Sequence, residues 1–165
     1  MTPALRRAIA FALLVVGAAG LARSQQSVYQ LTPPGGWTRS VEDGVDTLVP
    51  SAEPAGTVQA LLLPPKPLAV DFDAQFAAER AALEAHWGLL RPQAVPLQAG
   101  RTEAGAYAAH FASYASQGGP RYMSFLAHGR QGRFVMVVFV ASSDEAFNRL
   151  APQATQMWWG LQVAP

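Results

Sequence analysis

The chain of 165 residues contains no cysteine. That single absence excludes disulfide cross-links, thiol nucleophiles and thiolate metal sites. Lysine is almost missing as well: of twelve basic residues, only Lys66 is not an arginine. Histidine is limited to His86, His110 and His128. None of these stands at the H-x-x-x-H or H-E-x-x-H spacing that places two ligands on one helix face. There is no G-x-S-x-G turn to carry a serine nucleophile. The glycine-bearing stretches "GAAG" and "PPGGW" do not lead into the Lys-Ser/Thr of a phosphate loop. No internal repeat is present. Hydrolase, phosphate-binding and metal chemistry therefore have little to work with, and no cofactor is implied.

What is present begins with an address. Arg6 and Arg7 precede an uncharged apolar run, Ala8–Ala22, and small residues at 22 and 24 follow. This is the layout of a secretory signal peptide, residues 1–24, with cleavage expected after Ser24 or, failing that, Ala22. The run is shorter than the roughly 20 residues that span a bilayer comfortably. No cysteine follows it, so no lipid is attached there. Membrane contact is expected only through the leader, while it is uncleaved or if it is retained as an anchor. The rest, 25–165, suits one domain in the periplasm or outside the cell.

Without the leader, nine bases face eleven acids. The basic balance of the whole chain thus belongs to the leader and argues against nucleic acid as a partner. Charge is uneven along the remainder. Residues 25–79 hold two bases and seven acids, and residues 80–165 hold seven bases and four acids.

Hydrophobic pattern then gives the elements. Val28–Leu31 reads as a short strand. The stretch "PPGGW" ends it, and its glycines permit the positive φ of a tight reversal. Trp37–Val41 and Val45–Val49 flank "EDG" as a hairpin. Thr57–Leu63 is a strand stopped by "PPKP". A helix runs from Asp71, its cap, to Trp87, and Gly88 ends it. Tyr107–Ala115 and Arg121–Gly129 form a second hairpin. Phe134–Val140, "FVMVVFV", is apolar throughout and predicts a central strand covered on both faces. A last helix spans about Ser143–Gly160, with Ser142 and Glu145 as a capping box and Pro152 as a kink or break. The fold class is α+β: a single domain with a mainly antiparallel β-sheet flanked by two helices, an α/β/α sandwich.

The opening "YQLTPPGGW" and the ending "GRFVMVVFVASSDEAFNRLAPQATQMWWGLQV" resemble the PsbP-like and DcrB-like families of small exported domains. Those families share a fold with a Ran-binding nuclear import factor. The resemblance covers about residues 28–163. It implies an α/β/α sandwich and non-catalytic work in assembly or binding, and it supplies no catalytic residues. The reading is an exported, non-enzymatic binding or assembly module with an unidentified envelope protein as partner. The alternative is a carrier or sensor for a small apolar ligand held between helix and sheet.

Candidate contacts for a partner or ligand are Trp37, Glu79, His86 and Trp159. Trp37 opens a strand and can cover an open end of the core. Glu79 lies about −20° from Phe72 on the helical wheel, within the apolar arc of Phe76, Leu83 and Trp87. It therefore needs a base, a proton or solvent. His86 lies two turns on, along the same edge. In the last helix Phe147, Leu150, Ala154, Met157, Trp158 and Leu161 form a core stripe, and Trp159 falls outside its centre. Finally, Phe111 and Phe125 are expected to share a face, as are Tyr107 and Met123. That register would bring His110 and His128 onto one face of the sheet, directly opposite if the paired numbers sum to 238.

Overall fold

The computed structural model describes residues 29–94, 98–102, 105–116 and 119–163. The expected leader lies outside them. In chain order the elements are β1 (Tyr29–Gln30), β2 (Trp37–Glu42), β3 (Val45–Pro50), β4 (Val58–Leu62), β5 (Lys66–Pro67), α1 (Phe72–His86), β6 (Leu90–Ala94), β7 (Gln98–Thr102), β8 (Gly105–Ala115), β9 (Arg121–Arg130), β10 (Arg133–Ala141), α2 (Asp144–Gly160) and β11 (Gln162–Val163).

Each turn is explained by the residues in it. Trp37 N–H donates to the Pro34 carbonyl at 3.0 Å, and Gly36 supplies φ +79° at the third position of that turn. The β2–β3 hairpin closes through Asp43 and Gly44, both at positive φ, and β9–β10 closes through Gln131 and Gly132 likewise. Two consecutive positive φ values match the right-handed twist of the flanking strands. Asp71 caps α1 by accepting from Ala74 N–H at 2.9 Å. Ser143, not Ser142, caps α2, accepting from Ala146 N–H at 3.2 Å. Ser142 instead donates its N–H to the Thr57 carbonyl, which fixes the strand-to-helix turn and removes the expected capping box. The helix runs on through Pro152 as one element.

The strands pair antiparallel in the order β2-β3-β4-β10-β9-β8-β6, with β5 also on β10 and β7 also on β8. The four short elements β5, β6, β7 and β11 carry no apolar alternation and are not legible as strands. β6 tolerates Pro92 because it lies at an edge, beside a register irregularity. β1 does not join the main sheet but pairs with β11, just after α2.

Strand β10 is buried on both sides, as its composition predicts. Val135, Val137, Phe139 and Ala141 enter a core with Leu150, Ala154, Met157, Trp158 and Leu161 of the α2 side. Phe134, Met136 and Val138 enter a second core with Phe72 and Phe76 of α1. The result is the expected sandwich, with one helix on each face of an open sheet.

The two neighbouring tryptophans of α2 have opposite environments: Trp158 is 2% exposed and Trp159 is 46% exposed. Trp158→Ala should lower stability by roughly 3–5 kcal/mol, as the loss of a large buried aromatic does. Trp159→Ala should lose roughly 1 kcal/mol or less. Chemical denaturation of both variants checks the ranking, and a larger loss at Trp159 would contradict this packing.

Candidate functional site

Consecutive helical residues point about 100° apart, so α2 can bury Trp158 and still present Trp159. The Trp159 ring lies 4.3 Å from that of Trp158 and meets Tyr107 edge-on at 5.3 Å. Tyr107, on β8, stands opposite His128 of β9. The tyrosine lies over Gly100, where an added Cβ would approach its hydroxyl to 2.8 Å. The ring of His128 lies 6.1 Å from Trp158. On the outward side of α2, Asn148, Ala151, Pro152, Thr155, Gln156 and Trp159 line an open groove of about 660 Å³. Their spacing of three and four residues makes this one continuous helix face, ending at the exposed tryptophan.

Trp37 takes a different place on the same side. It is buried in the α2-side core, and its indole N–H donates to Gln153 Oε1 at 2.8 Å. Its large side chain locks the start of β2 to α2. Nearby, the carboxylate of Asp46, fully buried, is held by Arg39 at 2.6 Å. The same guanidinium donates to the carbonyls of Tyr29 and Leu31, which ties β1 to the hairpin.

Glu79 and His86 lie across the sheet, on α1. Glu79 is paired by Lys66 of β5, whose ammonium reaches both carboxylate oxygens at 2.6 Å. Its head sits at the rim, so the pair is worth about 0–1 kcal/mol. His86 is exposed in the last turn of α1. Between these positions a polar cluster bridges helix and sheet. Tyr114 donates its hydroxyl to Glu84 Oε1 at 2.7 Å, and Arg80 Nε lies 3.5 Å from the same oxygen. Burial first, then the carboxylate of Glu84, raise the Tyr114 pKa, so the phenol stays a neutral donor. The four sequence candidates thus form no common site. The sheet separates Trp37 and Trp159 from Glu79 and His86.

The histidine register differs from expectation. Tyr107 pairs with His128 and His110 with Phe125, so paired numbers sum to 235. An odd sum puts His110 on the α1 face and His128 on the α2 face. The reason is that β8 and β9 are covered on both sides. Phe111 packs toward α2 and Phe125 toward α1, so an aromatic at each position is not evidence of a shared face. Among the described residues no three His, Asp or Glu side chains gather as metal ligands. The sequence offered no signal for the Tyr107–His128 or Glu84–Tyr114 contacts, which depend on register and on helix placement.

Both buried histidines are held toward the neutral form. Burial, then the charge of Arg80, lower the His110 pKa, with Glu84 opposing. Burial, then Arg130, lower that of His128 to about 4. Neither ring nitrogen of His128 has a hydrogen-bond partner among the described residues. A histidine with a folded pKa below its unfolded value takes up its proton more readily when unfolded. Its folded form therefore loses stability as pH falls from about 6.5 through about 4. The wild type should lose on the order of 2–3 kcal/mol more than His128→Phe across that window, measured by urea denaturation. Parallel curves would contradict the assignment to His128.

No protein-family model matches the sequence. No curated protein matches it either. Solved structures do resemble it. The Ran-binding protein Mog1p of Saccharomyces cerevisiae is 10% identical, with a TM-score of 0.60 over 82% of this chain and 90% of that one. Cyanobacterial PsbP (CyanoP) from Synechocystis sp. PCC 6803 is 10% identical, with a TM-score of 0.59 over 90% of this chain and 98% of that one. LpqN of Mycobacterium tuberculosis, described as involved in cell envelope biogenesis, is 17% identical, with a TM-score of 0.57 over 83% of each chain. The chain therefore has the PsbP-like fold that is shared with the Ran-binding protein.

Proposed function

We propose that this chain is an exported, non-enzymatic binding or assembly module of the bacterial envelope, which meets a protein partner along the outer face of α2. The observation that carries this reading is the groove from Asn148 to Trp159. It is an open helix face with apolar Ala151 and Pro152, polar Asn148, Thr155 and Gln156, and a half-exposed tryptophan at its end. An aromatic anchor beside adaptable polar groups is the composition of interface centres.

Two further points support it. Several polar side chains are engaged in holding elements together: Tyr114 with Glu84, Trp37 with Gln153, Arg39 with Asp46. The fold is also that of proteins whose descriptions name Ran binding and cell envelope biogenesis. The carrier alternative asks for space between a helix and the sheet. Phe72, Phe76 and Phe125 pack between helix and sheet on one side and Leu150, Phe139 and Trp158 on the other, and an open space of about 500 Å³ remains where the start of α1 meets Ala99–Arg101 and Ala106.

A photo-reactive amino acid placed at Gln156 should cross-link to a discrete partner in the envelope fraction, on a chain that has lost residues 1–24. The same probe at Ala78, on the outer face of α1, should not. Cross-linking from Ala78 alone, or adducts only on a chain that retains Met1 in the cytosol, would contradict the proposal.

A further inference from the structure

A second surface lies at the end of the molecule where α2 finishes, and it concerns charge. Arg130 and Arg133 are direct cross-strand partners at the β9–β10 hairpin. Both are exposed. Like charges at opposed positions of a sheet repel. Neither guanidinium has an ion pair among the described residues, in which they are like Arg101 and Arg121 and unlike Arg39, Lys66, Arg80 and Arg149. Among the described residues, the hairpin thus keeps two adjacent positive charges without an ion pair.

These arginines face the same way as Trp159. Arg130 is two residues from His128, so both side chains leave the same face of β9. His128 touches Trp158 and stands opposite Tyr107, and Tyr107 touches Trp159. One end of the α2 side therefore presents a half-exposed indole, a tyrosine and two exposed guanidinium groups. The chain enters the fold at this end as well. β1 pairs with β11, immediately after α2. Six residues, Arg23–Val28, join β1 to the apolar run Ala8–Ala22. They span at most about 20 Å.

We infer that this end is a membrane-facing surface, with Trp159 and Tyr107 seated at the headgroup level and Arg130 and Arg133 on the phosphates of anionic phospholipids. Tryptophan and tyrosine favour the bilayer interface because their rings are apolar and their tips polar. Arginine adds attraction to an anionic leaflet, and its planar fork matches a phosphate. While the leader is attached, it holds this same end within reach of the bilayer. An acidic protein surface would offer charge to the arginines but gives the tether no role. The inference shares Trp159 with the end of the partner groove, but otherwise it uses the hairpin and Tyr107 and leaves Asn148 to Gln156 free.

The test uses wild type and variants produced with the intact leader and purified in the form that the cell retains. Each is mixed with vesicles of brominated phosphatidylglycerol and phosphatidylethanolamine, or of brominated phosphatidylcholine. The difference in emission between wild type and Trp159→Phe reports Trp159 alone, whatever the leader does. We expect that component to be quenched by the anionic vesicles and not by the zwitterionic ones. In Arg130→Gln/Arg133→Gln, with circular dichroism unchanged, the lipid concentration for half-maximal quenching should rise on the order of 30-fold. Added salt should raise it further in wild type than in the double variant. Equal quenching by both lipids, or a double variant that behaves as wild type, would overturn the inference. So would a shift of Trp159 emission by polyglutamate but not by vesicles, which would reassign the surface to an acidic protein.

Discussion

Strand β10 has no face left for water, and the rest of the fold follows from that constraint. Its alternate residues feed two cores, so each face of the sheet needs its own cover. One helix goes to each. α2 follows β10 directly and folds back over it, bringing Phe147 within 5.5 Å of Phe139 near its start and Trp158 beside His128 near its end. α1 is placed by the chain between β5 and β6 and covers the opposite face through Phe72 and Phe76. Neighbouring strands inherit the same demand. β9 is buried along most of its length, and β8 along its middle.

Such a core has few polar members, and each bears on how the parts are joined. Asp46 and Arg39 fasten β1 and the first hairpin to one another. Glu84 and Tyr114 fasten α1 to β8. Without its partner, a buried carboxylate such as Asp46 would be costly to keep charged. His128 differs, since both of its ring nitrogens are buried without a hydrogen-bond partner among the described residues, as are His110 Nδ1 and Trp158 Nε1. Its cost is limited because a neutral imidazole is far cheaper to bury than a charged one. A further cost appears when acid offers it a proton.

Much of this architecture was legible in the sequence because it rests on long, strongly patterned segments. The seven apolar residues Phe134–Val140 announce a two-sided central strand, and the Asp71 cap and Gly88 stop bound α1. Two kinds of feature were not legible. Short strands such as β5 and β11 exist because a neighbouring edge is there to pair with, not because their own residues favour extension. Register is the other. An all-buried strand has no polar face to fix its phase, so the histidine pairing was misread by an odd number of residues. For the candidate site, Trp159 was found because it falls off the stripe of its helix. Arg130, Arg133 and Tyr107 could not be joined to it without knowing which strands lie under the end of α2.

The molecule is thus divided by its sheet into a side that fastens and a side that presents. On the α1 side, the charged groups are largely engaged in internal pairs, Glu79 with Lys66 and Glu84 with Tyr114. On the α2 side, the groove, Trp159 and the arginine hairpin remain turned outward. We propose that recognition occurs on the α2 side. Hydrogen exchange read by mass spectrometry, on the purified protein with and without envelope material from its host, tests this most directly. Slower exchange confined to residues 148–160 and 130–133 is the predicted result. Slower exchange over α1 with those segments unchanged would contradict it.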